Sequence, residues 1–214
     1  LRGSADRERP VVLHEDGTGA VTAERLDALR IPLMVQDDQN SAKFGTAFCV
    51  PIEAKKGTTT GISAGDRART VLAAVDPDTK PEDLARPGHM FPLRAMPGGV
   101  LQRSGQTEAA VDLARLAGLR PAGVICEIMS EDGTMARVPE LTLFCRQHGL
   151  RMITVKDLIQ HRMRTERLVR KIAEANLPTG YGPFRIHAFE RLIDGQHQQR
   201  DDEAMPLRLH EHAV

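Results

Sequence analysis

The stretch from Arg86 to Gly118, RPGHMFPLRAMPGGVLQRSGQTEAAVDLARLAG, sets the terms for the rest of the chain. Its second half places Ala110, Val111, Leu113, Ala114 and Ala117 at helical spacing, and Gly118 supplies a stop. Thr107 to Leu116 therefore reads as an amphipathic helix that buries one face. The first half is punctuated by proline and glycine and reads as a loop that carries arginines to the helix start. Backbone N–H groups at a helix N-terminus have no intrahelical partner, and with arginine beside them they suit an anionic small molecule better than a packing surface. Arg103-Ser104-Gly105-Gln106-Thr107-Glu108 is the centre of that arrangement.

Charge makes the anion site a local matter. Lys+Arg and Asp+Glu both total 29 in the 214 residues, so no global basic field recruits nucleic acid or an anionic membrane. No run approaches the ~18 apolar residues of a membrane span, and the first residues lack the apolar segment of a signal peptide; a cytoplasmic location is expected. Trp is absent and Tyr occurs once, which argues against an aromatic platform for stacking bases. Cys49, Cys126 and Cys145 sit far apart in apolar runs and read as buried reduced thiols, with neither a disulfide framework nor a zinc site.

Local signals along the chain predict the remaining elements. Pro10 to Leu13 is a short apolar run compatible with a strand, and His14 to Gly19 reads as a turn. Thr22 to Arg30 reads as a helix stopped by Pro32, and Gly45 to Glu53 alternates as a strand does. Lys55 to Ser63 is a hydroxyl-rich loop, and Ser63 with Asp66 resembles a capping box opening a helix. That loop is suited to a phosphate or a polyol, or it is a Thr-rich strand end with an ordinary cap; composition leaves both open. A helical turn is expected around Pro81 to Leu84.

Gly123 to Met129 has the signature of a buried strand, interrupted by Glu127. A carboxylate inside such a strand must be paired or placed at a site. Pairing with Arg137 is one reading; an acid/base role is the favoured one. Pro139 to Gly149 reads as a helix with Leu141, Phe144 and Cys145 inward, and Met152 to Val155 as a short strand. Asp157 to Ala175 reads as the longest helix, its Arg162, Arg164, Arg167, Arg170 and Lys171 forming mostly a solvated basic face. Asn176 to Pro183 is the clearest boundary, giving units of residues 1–175 and 176–214. Phe184, Ile186 and Ala188 alternate beyond it, and His197, His210 and His212 fall in a polar, loosely docked tail.

Several strings, taken together, resemble the 3,4-dihydroxy-2-butanone 4-phosphate synthase family of riboflavin biosynthesis. They are Phe44 to Phe48, Gly57 to Ala68, Arg86-Pro87-Gly88-His89, Arg103 to Leu113, Cys126-Glu127-Ile128 with Asp132 to Arg137, and Asp157-Leu158-Ile159. The resemblance implies an α+β fold, a single layered domain with a mixed sheet, followed here by a short C-terminal extension. It implies a homodimer with sites at its interface and a lyase that converts ribulose 5-phosphate to 3,4-dihydroxy-2-butanone 4-phosphate and formate. Magnesium or manganese is the implied metal, stabilising an enediolate through adjacent sugar oxygens. Residues from Asn176 onward resemble the opening of a GTP cyclohydrolase II domain. That enzyme's three-cysteine zinc site has no counterpart after Cys145, so no zinc and no cyclohydrolase activity are expected.

Residue by residue, the resemblance assigns Arg103 and Thr107 to phosphate binding and Thr58 and Thr59, with Asp66, to the substrate loop. It assigns Glu127 to acid/base work, and Asp66 is counted with it as catalytic. Two departures stand out. The family's N-terminal acidic loop, with its following helix and strand, is missing between Arg9 to Val12 and Thr22, leaving Glu15 and Asp16 as the carboxylates at that place. The motif histidine is Gln106, whose carboxamide offers magnesium an oxygen but cannot act as a base. The alternative reading is a catalytically impaired homologue that binds a sugar phosphate or pairs with a full-length synthase.

Overall fold

The structure, a computed structural model, describes residues 18–193. The Pro10 to Leu13 run, Glu15, Asp16 and the tail histidines lie outside the described residues. Strand β1 (Thr18–Thr22) is followed by α1 (Ala23–Ala28), whose N-cap Thr22 accepts from Arg25 N. Then come β2 (Ile52–Ala54), α2 (Ala64–Val75), β3 (Leu84–Met90) and β4 (Pro92–Ala95). Helix α3 (Gln106–Leu116), β5 (Ala122–Ile125), α4 (Val138–His148) and α5 (Val155–Thr165) complete the main body, and β6 (Val169–Thr179) and β7 (Gly182–Arg191) form a hairpin.

The principal sheet runs β4-β1-β5, with β1 parallel to β4 and antiparallel to β5, so the expected α+β architecture with a mixed sheet is what the chain adopts. Thr18 and Gly19, expected in a turn, open the central strand. Gly19 pairs with Pro92 on one side and Val124 on the other, and that double pairing outweighs a turn-like composition. The main core gathers Val21, Leu26, Leu29, Ile31, Cys49, Ile52, Leu84 and Met90 beneath α1 and α2. Arg25 stitches α1 to the end of α2 by donating to the carbonyls of Ala74, Asp76 and Thr79.

Four other expectations give way. The strand over Gly45 to Glu53 shortens to β2, because Phe48 and Cys49 bridge to different partners, Leu93 and Leu33. Arg86 to Arg94, read as loop, forms β3 and β4. Gly88 makes β3 possible: a Cβ there would fall on the Ile52 carbonyl, where the β2–β3 register shifts. No strand forms over Met152 to Val155, since Thr154 instead caps α5, accepting from Asp157 N at 3.1 Å. The long helix to Ala175 stops at Thr165, and Val169, Ile172 and Ala173 continue as β6, paired with β7. The division at residues 175 and 176 thus falls inside β6.

Two thiols are also less enclosed than expected. Cys49 is buried, but Cys126 is exposed and Cys145 half-buried, because β5 ends at Ile125 and no residue of α4 is fully buried. Burial raises the Cys49 thiol above its ordinary pKa. Among the described residues, no helix is long and apolar enough to cross a membrane.

Candidate active site

The loop from Met96 to Gly105 and the start of α3 form one unit. Glu108 is 0% exposed, and its carboxylate accepts Met96 N through Oε1 at 3.1 Å and Arg103 Nη1 through Oε2 at 2.8 Å. Arg103 Nη2 reaches Phe44 O at 3.0 Å, which brings the Phe44-Gly45-Thr46 segment to the same place. A buried carboxylate on one side and a carbonyl on the other hold the guanidinium in a single orientation. Gly105 has to be glycine here: a Cβ would fall on both Glu108 Oε2 and Arg103 Nη1.

Gly105 is the N-cap of α3 and makes no side-chain cap bond. The first amides of α3, at Gln106, Thr107 and Glu108, therefore remain available beside Arg103, which is the arrangement that takes an oxyanion. Thr107 is buried, and no hydrogen bond among the described residues uses its hydroxyl. Gln106 is exposed. Sequence reasoning gave Glu108 no role of its own; the signal that could have found it is its i+5 spacing from Arg103 across a glycine.

The hydroxyl loop is held by the helix it precedes. Ser63 Oγ accepts from Asp66 N at 3.1 Å, as the capping pattern predicts. The buried Asp66 carboxylate accepts Thr59 N at 3.0 Å, Thr59 Oγ1 at 2.7 Å and Gly61 N at 3.1 Å. Thr58 Oγ1 donates to Ala54 O at 2.6 Å. Both threonine hydroxyls thus shape the loop, and Asp66 latches it. The Thr59 hydroxyl and the amides of the loop hold the Asp66 carboxyl below its ordinary range. A group with a depressed folded pKa contributes stability above the unfolded value, about 4, and loses it as pH falls through the folded one. Asp66→Asn sets an amide donor against these donors, so hydrogen exchange at Thr59 and Gly61 should accelerate in the variant at neutral pH, as it should in the wild type on acidification. Unchanged protection in the variant would show that the latch is not what orders the loop.

Beside this loop lies a pair that sequence reasoning passed over. His89 Nδ1 sits 2.8 Å from Glu53 Oε2, the imidazole 42% exposed and the carboxylate 16%. Gly61 rests against the Glu53 carboxylate, where a Cβ would collide with it, and Arg67 Nη1 donates to His89 O at 3.0 Å. Imidazole oriented by a carboxylate on one nitrogen, with the ring open to solvent, is an arrangement suited to proton transfer. Antiparallel pairing of β2 with β3 brings the two residues together, a contact across 36 positions that local reading cannot supply.

No hydrogen bond or ion pair joins Glu127 to either group. This glutamate lies past the end of β5, exposed, and no hydrogen bond or ion pair to another described residue holds its carboxylate. The expected burial is not observed, nor is pairing with Arg137, whose amide instead donates to Glu140 Oε2 at 2.8 Å at the start of α4. The solvated basic face expected of α5 also fails at Arg162, which is buried against Asp112.

The described residues do not by themselves fit a magnesium site. No group of three or more His, Cys, Asp or Glu comes together among them, and Gln106 contributes a single neutral oxygen.

Fold and site together define a member of a known enzyme class: the chain belongs to the 3,4-dihydroxy-2-butanone 4-phosphate synthase family, whose model matches residues 12–161. It is similar to riboflavin biosynthesis protein RibBA of Aquifex aeolicus, 54% identical over 200 residues, covering 89% of this chain and 49% of the relative. It is likewise 54% identical over 175 residues to the 3,4-dihydroxy-2-butanone 4-phosphate synthase of Pseudomonas syringae pv. tomato, covering 82% and 47%. The chain spans about half the length of these curated relatives. Among solved structures, RibBX of A. baumannii, a two-domain synthase, superposes with TM-score 0.75 at 45% identity, covering 84% of this chain and 53% of that one. A synthase in complex with two magnesium ions superposes with TM-score 0.64 at 42% identity, covering 70% and 74%.

Proposed function

We propose that this chain is a working synthase of riboflavin biosynthesis, converting ribulose 5-phosphate to 3,4-dihydroxy-2-butanone 4-phosphate and formate. The observation that carries the reading is the anion cradle at the start of α3, where Arg103 is oriented by buried Glu108 beside helix amides without a side-chain cap. The substrate phosphate sits on Arg103, Thr107 and those amides. The Thr58-Thr59 loop, latched by Asp66, covers the sugar. His89, oriented by Glu53, moves the proton beside the carbonyl, and Glu127 serves as the second acid/base group on the segment after β5. The family match and the relatives' names favour turnover over the impaired alternative.

Three finer assignments accompany this reading: a homodimer, a cytoplasmic location and dependence on a divalent cation. A relative is known in complex with magnesium ions; such a cation would supply Lewis-acid charge stabilisation, with Gln106 the described residue at the position the family resemblance gives to the metal. We place the boundary of the synthase unit between α5 and β6, so that the whole β6–β7 hairpin belongs to the GTP cyclohydrolase II-like segment. Incubation of the purified chain with ribulose 5-phosphate, with and without magnesium, should release formate in the presence of the metal. Absence of formate under both conditions would refute the reading.

A further inference from the structure

The turn that aims Arg103 is itself held from a distance. Helix α3 carries two buried carboxylates one turn apart, Glu108 and Asp112. Glu108 grips the loop at Met96, and Asp112 grips it at Val100, whose amide donates to Oδ2 at 2.8 Å. Asp112 is 1% exposed and has two cationic partners: Arg115 of the same helix donates Nη1 to Oδ1 at 3.3 Å, and Arg162 of α5, itself 8% exposed, donates Nη1 to Oδ2 at 2.7 Å. The same Nη1 donates to Gly98 O at 2.9 Å. Gly99, between the two gripped residues, has φ of 59°, and a Cβ there would fall on the Asp112 carboxylate and Arg162 Nη1. Gly99 O in turn accepts Arg103 N at 3.0 Å.

The rest of the guanidinium is also committed. Nε and Nη2 form a two-point fork with Glu166, each bond 2.7 Å. Arg162 is thus fixed on one side by its own helix end, and on the other it joins a carboxylate of α3 to a carbonyl of the turn.

Stability alone does not account for such a pair. Desolvating two charges is costly, and apolar residues of similar volume often replace a buried ion pair without loss. What an apolar pair cannot do is direct one backbone carbonyl and one backbone amide of the same turn. We propose that Arg162, acting with Asp112, is a positioning residue for phosphate recognition: it sets the Gly98–Arg103 turn and so the aim of Arg103. The proposal rests on the reading of the α3 start as a phosphate site. It extends that site to a residue on α5, just beyond the segment matched by the family model.

The test separates packing from positioning. In the full chain, Arg162→Met combined with Asp112→Leu restores apolar packing, and Arg162→Lys keeps the charge but loses the fork. Thermal unfolding reports the fold, and isothermal titration with inorganic phosphate reports the site without requiring turnover. The expected result is a folded double variant with phosphate affinity reduced by about tenfold to a hundredfold, as for a misplacement on the order of 1 Å. Arg162→Lys should fall between it and the wild type. A variant that unfolds near the wild-type temperature and binds phosphate equally well overturns the proposal; should the double variant fail to fold, Arg162→Lys decides by the same criterion. A wild-type chain that binds no phosphate overturns the positioning role and the site together. Phosphate binding that depends on Arg162, in a chain that releases no formate, overturns only the synthase reading.

Discussion

His89→Ala should lower formate release from ribulose 5-phosphate by about 10²- to 10⁴-fold, the range for loss of a positioned proton-transfer group. Glu53→Gln should cost about tenfold, since the imidazole remains but loses the partner that orients it. The difference between the two is the informative quantity. His89 is 42% exposed on β3, so trimming it opens no cavity in the core, and the unfolding temperature should move little. A His89→Ala rate within threefold of wild type would remove His89 from the chemistry and leave Glu127 as the remaining acid/base group. An equal loss for both variants would instead mean that the pair acts as a strut for the Gly61 loop, where Glu53 already makes close contact.

The second large effect falls on stability. Glu108→Ala removes an acceptor that serves Met96 N and Arg103 at once, in a position with no access to water. Breaking a buried ion pair from one side costs roughly 3–5 kcal/mol. Arg103 is 27% exposed, so water takes over part of its charge, and the lower end, about 3 kcal/mol, is expected. Glu108→Gln keeps an acceptor for Met96 N and should cost about half as much, on the order of 1–2 kcal/mol. Urea unfolding would measure both. A Glu108→Ala cost below about 1 kcal/mol would show that the Met96–Gly105 loop is not anchored as described. Phosphate affinity should fall in both variants, because Arg103 without its carboxylate no longer has a single orientation.

These two sites differ in how far they could be read from the chain alone. The strings around Arg103 and Thr58 were sufficient to expect an anion site, a hydroxyl loop and the family to which the chain belongs. Glu108 was present in the same string without any mark of its importance. Its role depends on being inside, and burial is a property of the assembled loop and helix. His89 closes the Arg86-Pro87-Gly88-His89 string, but its carboxylate partner lies 36 residues earlier on another strand. Glu127 shows the opposite error: an apolar run predicted a buried strand, yet pairing with β1 ends at Ile125 and the glutamate emerges into solvent.

By itself the sequence determined those elements whose causes lie within a few residues. Helix α2 begins where Ser63 caps Asp66, α3 ends near Gly118, and α4 is bracketed by Pro139 and by Gly149 in a left-handed conformation. Caps and stops act locally, so they survive any tertiary context. Tertiary structure decided the rest. Val169 to Ala175 carries an apolar spacing that a helix could use, and only β7, arriving after the turn at Gly180 and Tyr181, makes it a strand. Arg162, on a face read as solvated, becomes the buried partner of Asp112 because α5 lies across α3 and the Gly98 turn. Charge and spacing are written in the chain, but the choice between water and a buried partner is made only when distant segments meet and one displaces the solvent from the other.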